Sequence, residues 1–534
     1  MDGKRPTISS VHGMVAAAHP LAAQAGARVL ANGGNAFDAA VATSAALNVV
    51  EPFMSGLAGL GLATCYVASE KRVRTLDFTP PVPAAFPVER FARREDVQRG
   101  ALAVGRPGNL AGWAELQRAY GKLTFKDVFK PAIALARDGF PIVEFGVYEV
   151  NSAAPELSAH PGLYPLWCET YTAGKGTVDV GFVLRQPELA RTLETIAGEG
   201  ADCFYRGALG RTVIAHLDKL GGCLSMSDLE AVKPVWKDPL TASYRGLTVN
   251  IPPPPCEGFQ FLLTLRILEG FDVSAMERNG IDHLDTVCRA IRLAAGVRIA
   301  NNNPTVEKAR ELLSDDHVEV LRTRVRDARP IDGPTEQWTA PPPGGPPAES
   351  HTTSLSVVDR DGNAVCITQS LGSPFGSAVI VPGTGLCLNN FLYWADVNPN
   401  SPNLTRPGAS LPMCVTPSIS TRDGKPVLVL GTPGSYGILQ TQPQAMVQYI
   451  DYGLPLQEAI EAPRARLWDG RQVEPEARLP ASTIEGLRSR GHEVIAGAEW
   501  TMRVGGMQAV AIDHATGALT GACDPRRDGY VATP

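Results

Sequence analysis

The first part of the chain alternates between long apolar stretches and short glycine-rich breaks. Residues His19 to Leu30 have helical spacing and predict a helix that stops near Gly33-Gly34, because paired glycines suit a left-handed C-terminal cap. Residues 36–49 are almost entirely apolar and predict a second, buried helix. The glycine-rich stretch 52–61 allows close backbone approach before a predicted strand over 62–67. The chain thus opens with two helices followed by a strand.

The middle of the chain has apolar residues spaced three and four apart. This spacing predicts helix over 113–140, ending at Asp138-Gly139, and again over 187–220 and 260–300. From 314 to 347 the sequence becomes polar and rich in proline, which predicts a linker. The middle is therefore a helix-rich region that ends in a break.

After residue 352 the pattern changes to that of a sheet. Residues 354–358 and 364–370 predict two strands joined by a turn at 359–363, which together form a hairpin. A buried strand over 427–430 then runs into the glycine-rich turn 431–437, and a helix follows from 438 to about 452. Backbone N–H groups at such a turn are natural donors to an oxyanion, and a plain strand-to-helix connection is the alternative.

Composition narrows the class of protein. The chain has 534 residues, 44% hydrophobic and 19% charged, which is typical of a globular protein with two to four lobes or one large layered domain. A net charge of -6 gives no electrostatic footprint for nucleic acid. The basic N-terminal residues have no apolar segment behind them, and the longest apolar run is too short to span a bilayer. The ten cysteines form no C-x-x-C pair, so we expect a cytoplasmic protein without membrane attachment.

Candidate chemistry centres on the dipeptide His351-Thr352. The proline-rich run 341–347 leads to Thr352, which opens the predicted hairpin. A threonine hydroxyl is a poor nucleophile without a nearby base, and a cut before Thr352 would create one, the new α-amino group. This arrangement predicts a precursor that cleaves itself between His351 and Thr352.

Other chemistries lack their motifs. The stretch 52–61 does not match G-x-G-x-x-G, and no G-x-S-x-G elbow occurs. The nine histidines show no H-E-x-x-H or other ligand spacing, and the turn 359–363 lacks the glutamate of a calcium loop. We therefore expect neither a metal nor a cofactor.

Many separated motifs, in order, resemble the γ-glutamyltransferase (glutathione hydrolase) family of N-terminal-nucleophile hydrolases. The resemblance covers nearly the whole chain and rests on His19–Ala22, Gly33–Ala36, Asp38–Ala42, Leu135–Gly139, Gly222–Ser225, Thr352-Thr353, Val357–Asp359, Asp361–Val365, Asn389-Asn390, Thr416-Pro417, Pro433-Gly434 and Asp524–Gly529. It implies an α+β fold, a four-layer αββα sandwich with a helix-rich N-terminal part.

The resemblance also implies how the chain is processed. The cut before Thr352 gives a large fragment, 1–351, with a linker over about 314–351, and a small fragment, 352–534. The fragments stay associated and build one core, and a dimer of such pairs is left open. Ser370 matches the family's hydroxyl residue that hydrogen-bonds the nucleophile, and Gly434 and Ser435 match the oxyanion donors. The substrate is then a small-molecule amide.

The expected substrate pocket departs from the family. The arginine that grips the glutamyl carboxylate is Thr79 here, and the acidic residue that receives the ammonium is Trp394. Each lost charge-assisted contact is worth roughly 1.5–3 kcal/mol. A zwitterionic glutamyl group has no evident partner, unless other residues have taken over this task.

Further positions are assigned to the pocket by the same resemblance. Met413-Cys414 stands where the family has a pair including a carboxylate-binding serine, Phe391 replaces a polar residue, and Gly372 replaces an asparagine. Thr353, beside the nucleophile, is retained. A pocket walled by Phe391, Trp394 and Met413 predicts preference for an apolar, aromatic or small neutral acyl group.

Three hypotheses follow. The first is a self-processed threonine amidohydrolase acting on an amide other than a γ-glutamyl one, as cephalosporin acylases and an oxamate hydrolase of the family do. The second is a γ-glutamyltransferase or glutathione hydrolase with a remodelled pocket. The third is an uncleaved, non-catalytic binding protein on the same fold.

Overall fold

The computed structural model describes residues 5–327, 329–333, 351–401 and 403–534. Up to residue 333 the helices are α1 (Pro20–Ala31), α2 (Ala36–Val50), α3 (Asn109–Tyr120), α4 (Phe125–Asp138), α5 (Glu144–Ser158), α6 (Tyr164–Thr172), α7 (Pro187–Glu199), α8 (Asp202–Tyr205), α9 (Ala208–Lys219), α10 (Met226–Glu230), α11 (Phe259–Leu268), α12 (Ile281–Ala300), α13 (Val306–Leu312) and α14 (Asp315–Arg326). The strands of this part are β1 (Ile8–Ser10), β2 (Gly13–Ala17), β3 (Leu60–Val67), β4 (Arg72–Phe78), β5 (Phe140–Pro141), β6 (Val183–Leu184), β7 (Val235–Lys237), β8 (Leu240–Tyr244) and β9 (Leu247–Ile251).

From residue 351 onward strands dominate. They are β10 (Thr353–Asp359), β11 (Ala364–Ser370), β12 (Ile380–Val381), β13 (Leu386–Cys387), β14 (Ser418–Arg422), β15 (Lys425–Gly431), β16 (Ala465–Leu467), β17 (Gln472–Pro475), β18 (Glu493–Val494), β19 (Gln508–Ile512), β20 (Leu519–Cys523) and β21 (Tyr530–Ala532). The helices are α15 (Ile438–Met446), which continues as one π-helical turn to Asp451, α16 (Leu456–Glu461) and α17 (Ala481–Ser489).

Two seven-stranded sheets form the centre of the described structure. One has the order β21-β2-β10-β11-β3-β4-β7 and the other β1-β20-β19-β15-β14-β9-β8. Each sheet contains strands from both sides of residue 352. The two halves of the chain are therefore hydrogen-bonded to each other throughout the core.

Alternation along β10 explains why helices and sheets stack in layers. Leu355 and Val357 pack into the cluster formed with the N-terminal helices, whereas Val358 packs between the two sheets. Ser356, on the inter-sheet side, donates its hydroxyl to the carbonyl of Gln508, 2.9 Å away. Because successive strand side chains point to opposite faces, one strand serves both layers. A separate cluster joins the outer face of the second sheet to helices such as α11 and α12, and the predicted αββα sandwich is confirmed.

The two N-terminal helices begin where local signals place them. The His19 ring accepts a hydrogen bond from the N–H of Leu21 at the start of α1. At α2, Asn35 and Asp38 form a reciprocal capping box, which satisfies N–H groups that have no partner within a helix. Gly33, at φ +91°, supplies the left-handed backbone between them.

The helix predicted over 113–140 is instead two helices. It breaks after Tyr120, and α4 restarts at Phe125 with Thr124 as its N-cap. The buried Asp38 carboxylate accepts hydrogen bonds from the N–H groups of Lys122 and Leu123. A distant carboxylate thus holds the connecting loop open, which the helical spacing does not reveal.

The linker predicted from residue 314 begins as a helix. Ser314 caps α14, and Val318, Leu321 and Val325 are buried against the second core cluster. The apolar residues of α14 are spaced at helical intervals inside an otherwise polar segment. Because α14 runs to Arg326, the linker cannot start before Asp327. The proline-rich residues 341–347 lie outside the described residues. Within the described ranges, no helix combines the length and apolar character needed to cross a membrane.

Candidate active site

Thr352 and Ser370 lie side by side at one end of the first sheet. Strands β10 and β11 are antiparallel, with Thr353 opposite Gln369, so the next pair along the hairpin is Thr352 and Ser370. Both side chains are buried, with 3% and 2% of their surface exposed. The hairpin register therefore brings together two hydroxyls that are distant in sequence.

Both hydroxyls donate to one acceptor, the carbonyl oxygen of His351. The Thr352 hydroxyl is held against this oxygen, and the Ser370 hydroxyl reaches it at 2.9 Å. The Ser370 oxygen in turn accepts the N–H of Gly372 at 2.9 Å. The hydroxyl predicted to attack thus donates to the carbonyl oxygen of the peptide bond predicted to break.

A buried cluster of charged side chains surrounds the same peptide bond. The Arg527 guanidinium donates to the carbonyl oxygen of Thr352 at 3.0 Å. The Thr353 hydroxyl donates to Glu51 at 2.7 Å, so Thr353 faces this cluster. The Oε2 atom of Glu149 lies 4.0 Å from Nδ1 of His351. The cluster places two carboxyl groups, one guanidinium and one imidazole around the Thr352 backbone.

Burial sets the ionisation of these groups. Loss of water raises the pKa of both Glu51 and Glu149 from 4.5 to about 7, because the charged form is disfavoured in a dry site. Thr353 and Arg527 oppose this rise at Glu51, and Arg527 opposes it at Glu149. Burial likewise lowers the pKa of Arg527. In the described part of the chain, one oxygen of each carboxyl has no hydrogen-bond partner.

The turn after β15 has an uncommon backbone conformation. Gly434 has φ +132° and Ser435 has φ +53°, a conformation that non-glycine residues rarely adopt. Neither N–H donates a hydrogen bond within the described residues. Gly431, at the end of β15, is so close to Ser354 of β10 that an added Cβ would lie 2.1 Å from its hydroxyl. The start of the turn therefore lies beside β10, the strand that directly follows Thr352.

Most residues predicted to wall a substrate pocket lie in the core. Phe391, Met413 and Cys414 are almost fully buried in one hydrophobic cluster. The Met413 backbone pairs with Pro255 and with Glu257, both at 2.8 Å. Burial raises the pKa of the Cys414 thiol, which keeps it protonated. These three residues therefore form part of the hydrophobic core.

Thr79 is also engaged elsewhere. Its hydroxyl donates to Asp77 at 2.5 Å, and Asp77 forms an ion pair with Lys237 at 2.7 Å. The position where the family has a carboxylate-gripping arginine is therefore part of a local hydrogen-bonded turn.

Trp394 lies at a cavity of about 610 Å³. Its ring contacts that of Tyr436 with a centroid distance of 5.8 Å, and Tyr436 directly follows Ser435. The cavity therefore reaches the predicted oxyanion turn. The residues that line it are Arg94, Arg298, Ile299, Asn302, Asn303, Trp394, Ala395, Asp396, Asn403, Leu404, Thr405, Arg406, Ala409, Ser410, Pro412 and Tyr436.

The lining of this cavity carries three arginines and one aspartate. The Arg94 guanidinium stacks on Tyr393 at 4.3 Å and is 8% exposed. Arg298 stacks on Tyr436 at 4.1 Å and pairs with Glu257 at 3.0 Å, which offsets its charge.

Gly372 has a clear packing reason. Its φ is +104°, and an added Cβ would lie 2.2 Å from Oδ1 of Asn390. That oxygen already accepts the N–H of Ser373 at 2.8 Å. Asn390 thus occupies the space that a side chain at position 372 would need.

Sequence reasoning missed Glu51, Glu149, Arg94 and the role of Arg527. Two weak signals existed, since Glu51 directly precedes the glycine-rich stretch and Arg527 lies inside the motif Asp524–Gly529. Glu149 and Arg94 sit in ordinary polar positions of a helix and a short turn, and no local pattern marks them.

Comparisons with known proteins agree with the geometry. The profile of the family described as Gamma-glutamyltranspeptidase matches residues 22–533. The acylase ACY 1 proenzyme of Pseudomonas sp. (strain V22) is 34% identical, over 98% of this chain and 94% of its own. The glutathione hydrolase proenzyme of Bacillus subtilis (strain 168) is 30% identical, over 97% and 90%. The crystal structure of cephalosporin acylase from Bacillus halodurans aligns with a TM-score of 0.91 at 30% identity, over 100% and 98%.

Proposed function

The chain belongs to the gamma-glutamyltranspeptidase family, and on that premise we propose that it is a self-cleaving threonine amidohydrolase. The observation that carries the proposal is the pair of hydroxyls, Thr352 and Ser370, on the carbonyl oxygen of His351. The predicted nucleophile thus lies in hydrogen-bond contact with the residue whose carbonyl it would attack. Relatives named as proenzymes support a precursor of this kind.

Self-cleavage begins with attack of the Thr352 hydroxyl on the carbonyl carbon of His351. The C–N bond breaks, the nitrogen leaves as the α-amine of Thr352, and an ester links the two fragments. Water then hydrolyses the ester and frees the hydroxyl. The fragments 1–351 and 352–534 remain together, because each central sheet interleaves strands of both.

In the mature enzyme the same hydroxyl attacks the amide of a substrate. The free α-amine accepts its proton and later donates one to the leaving amine. The N–H groups of Gly434 and Ser435 stabilise the oxyanion, and loss of one such donor costs roughly 3 kcal/mol of barrier. Water or an acceptor amine then releases the acyl group from Thr352.

The acyl group that suits the cavity carries a carboxylate but no ammonium. Arg406 is an exposed cation at the cavity, while Trp394 stands where the family resemblance places the acid that receives an ammonium. A charge-assisted contact is worth roughly 1.5–3 kcal/mol, which corresponds to about 10- to 150-fold in affinity or rate. The apolar, aromatic or small neutral acyl group expected from the sequence is the alternative, and of its expected wall Trp394 lines the cavity.

Two measurements test the proposed function. Gel electrophoresis and intact mass should show two fragments that separate between His351 and Thr352. Three anilides releasing the same chromophore then report on the acyl group: glutaryl, pentanoyl and γ-glutamyl p-nitroanilide. We expect the glutaryl anilide to be turned over at least about tenfold faster than the other two.

The outcomes separate the alternatives. Preference for the γ-glutamyl anilide would identify a glutathione hydrolase with a remodelled pocket. Preference for the pentanoyl anilide would support the apolar substrate pocket that the sequence predicts. A single full-length band without turnover would support a non-catalytic binding protein and refute the proposal.

A further inference from the structure

The loop of residues 371–379, which connects β11 to β12, has an uncommon backbone. Left-handed φ angles between +52° and +104° occur at Gly372, Phe375, Gly376 and Ala378. Two of these four residues carry side chains, and non-glycine residues adopt such a conformation only at an energetic cost. Contacts from other segments are therefore needed to hold this loop, the β11–β12 loop, in its conformation.

Residues Arg99 and Gly100 hold the β11–β12 loop at three points. The Arg99 guanidinium donates to the carbonyl of Pro374 at 2.7 Å and to that of Gly376 at 2.5 Å. The N–H of Gly100 donates to the carbonyl of Ser377 at 2.9 Å. Within the described ranges, Arg99 is the one donor to the Pro374 and Gly376 carbonyls. Loss of its guanidinium would leave both carbonyls without a partner there.

The Arg99 side chain is itself held in place by α5. Its Nε and one terminal nitrogen bind the two carboxylate oxygens of Glu156, both at 2.7 Å. The other terminal nitrogen is the one that binds the loop carbonyls. Only 2% of the Arg99 side chain is exposed. Because a two-point contact fixes the plane of a guanidinium, the donors that face the loop have a defined direction.

The β11–β12 loop determines where the Ser370 hydroxyl points. The Ser370 oxygen accepts the N–H of Gly372 at 2.9 Å, so this side of the oxygen is occupied. Its single proton is then directed to the carbonyl of His351, also at 2.9 Å. Gly372 lies two residues before Pro374, where Arg99 holds the loop. A shift of the loop would therefore move the N–H that orients this hydroxyl.

We propose that Arg99 is a positioning residue for self-cleavage, which acts through the β11–β12 loop to aim the Ser370 hydroxyl at the His351 carbonyl. This inference rests on the proposed function. Arg99 contacts no reacting atom and takes up no proton. It keeps the Ser370 donor aligned with the oxygen on which negative charge develops when Thr352 attacks.

A double-mutant cycle on the cleavage rate tests the inference. Conversion of the full-length chain is followed after cell-free synthesis for the wild type, Arg99→Met, Ser370→Ala and the double variant. Arg99→Met should slow cleavage about tenfold or more, up to the roughly 10²- to 10³-fold loss expected for Ser370→Ala. In the Ser370→Ala background the same substitution should change the rate less than about twofold, because no hydroxyl remains to be aimed. A purely structural role would give the same slowing in both backgrounds.

A conservative variant and a matched control accompany the cycle. Arg99→Lys keeps the charge and a donor but loses the two-point contact with Glu156, so it should slow cleavage only about fivefold. Arg322→Met is the control, because Arg322 also binds a carboxylate and two backbone carbonyls, but those carbonyls belong to α11. It should lower the melting temperature and cleave at the wild-type rate.

The outcomes are distinct. A folded Arg99→Met variant that cleaves within twofold of the wild type overturns the inference. Equal slowing with and without the Ser370 hydroxyl overturns it as well. If Arg99→Met does not fold, Arg99→Lys is judged by the same two criteria. A wild-type chain that never cleaves refutes the proposed function and this inference together, whereas normal wild-type cleavage with additive effects refutes the inference alone.

Discussion

Removing the Ser370 hydroxyl tests how the uncut chain activates its own peptide bond. Two hydroxyls donate to the His351 carbonyl oxygen, but the Thr352 oxygen becomes the attacking atom and loses its proton. Ser370 is then the one of the two that still donates to the developing oxyanion. Loss of a donor of this kind costs roughly 2.7–4 kcal/mol, or about 10²- to 10³-fold in rate.

The same substitution has a smaller effect on stability. In Ser370→Ala the buried N–H of Gly372 loses its acceptor at 2.9 Å, which costs about 1–3 kcal/mol. Ser370→Thr keeps the hydroxyl and is the matched control, with a cleavage rate expected within a few-fold of wild type. A fall in melting temperature together with slow cleavage is therefore expected for the alanine variant alone.

The assay measures the half-time for conversion of the full-length band, with folding checked by circular dichroism. The reasoning is refuted if folded Ser370→Ala cleaves at the wild-type rate. It is also refuted if Ser370→Thr is as slow as Ser370→Ala, because the hydroxyl would then not be the active feature.

Three further predictions concern the nucleophile, the cavity and the buried carboxyls. Thr352→Ala should remain one full-length band and show no anilide turnover, and cleavage at 351–352 in this variant would exclude Thr352 as the attacking group. Arg406→Gln should lower kcat/KM for glutaryl p-nitroanilide about tenfold while sparing the pentanoyl anilide, with Arg406→Lys intermediate; equal losses on both substrates would contradict carboxylate recognition. Because the folded-state pKa of Glu51 is raised from 4.5 to about 7, the folded chain binds more protons than the unfolded chain in that window, so stability should fall as pH rises through it. Glu51→Gln in the Thr352→Ala background should flatten this fall by up to about 3 kcal/mol, measured as unfolding free energy from pH 4.5 to 7.5, and an unchanged pH dependence would show that Glu51 does not titrate there.

Short stretches of sequence were sufficient to predict the helices and strands whose ends are set by interactions between neighbouring residues. Asn35 and Asp38 form the capping box of α2 within four residues. The predicted strand over 364–370 is β11 to the residue, and β10 differs from its prediction by one residue at each end. Period-two alternation and turn residues act over a few positions, so a short window contains the whole signal. The order of motifs along the chain also identified the family.

Tertiary structure decided which charges lie inside. Glu51, Glu149 and Arg527 belong to three separate parts of the chain, and burial around Thr352 raises the pKa of the two carboxyls and lowers that of the guanidinium. In the same way, Asp38 opens the loop between α3 and α4, and Arg94 lines the cavity beside Trp394. Periodicity reports how one segment faces its neighbours, whereas the energy of a buried charge depends on every group around it. That environment exists only after distant segments have packed together.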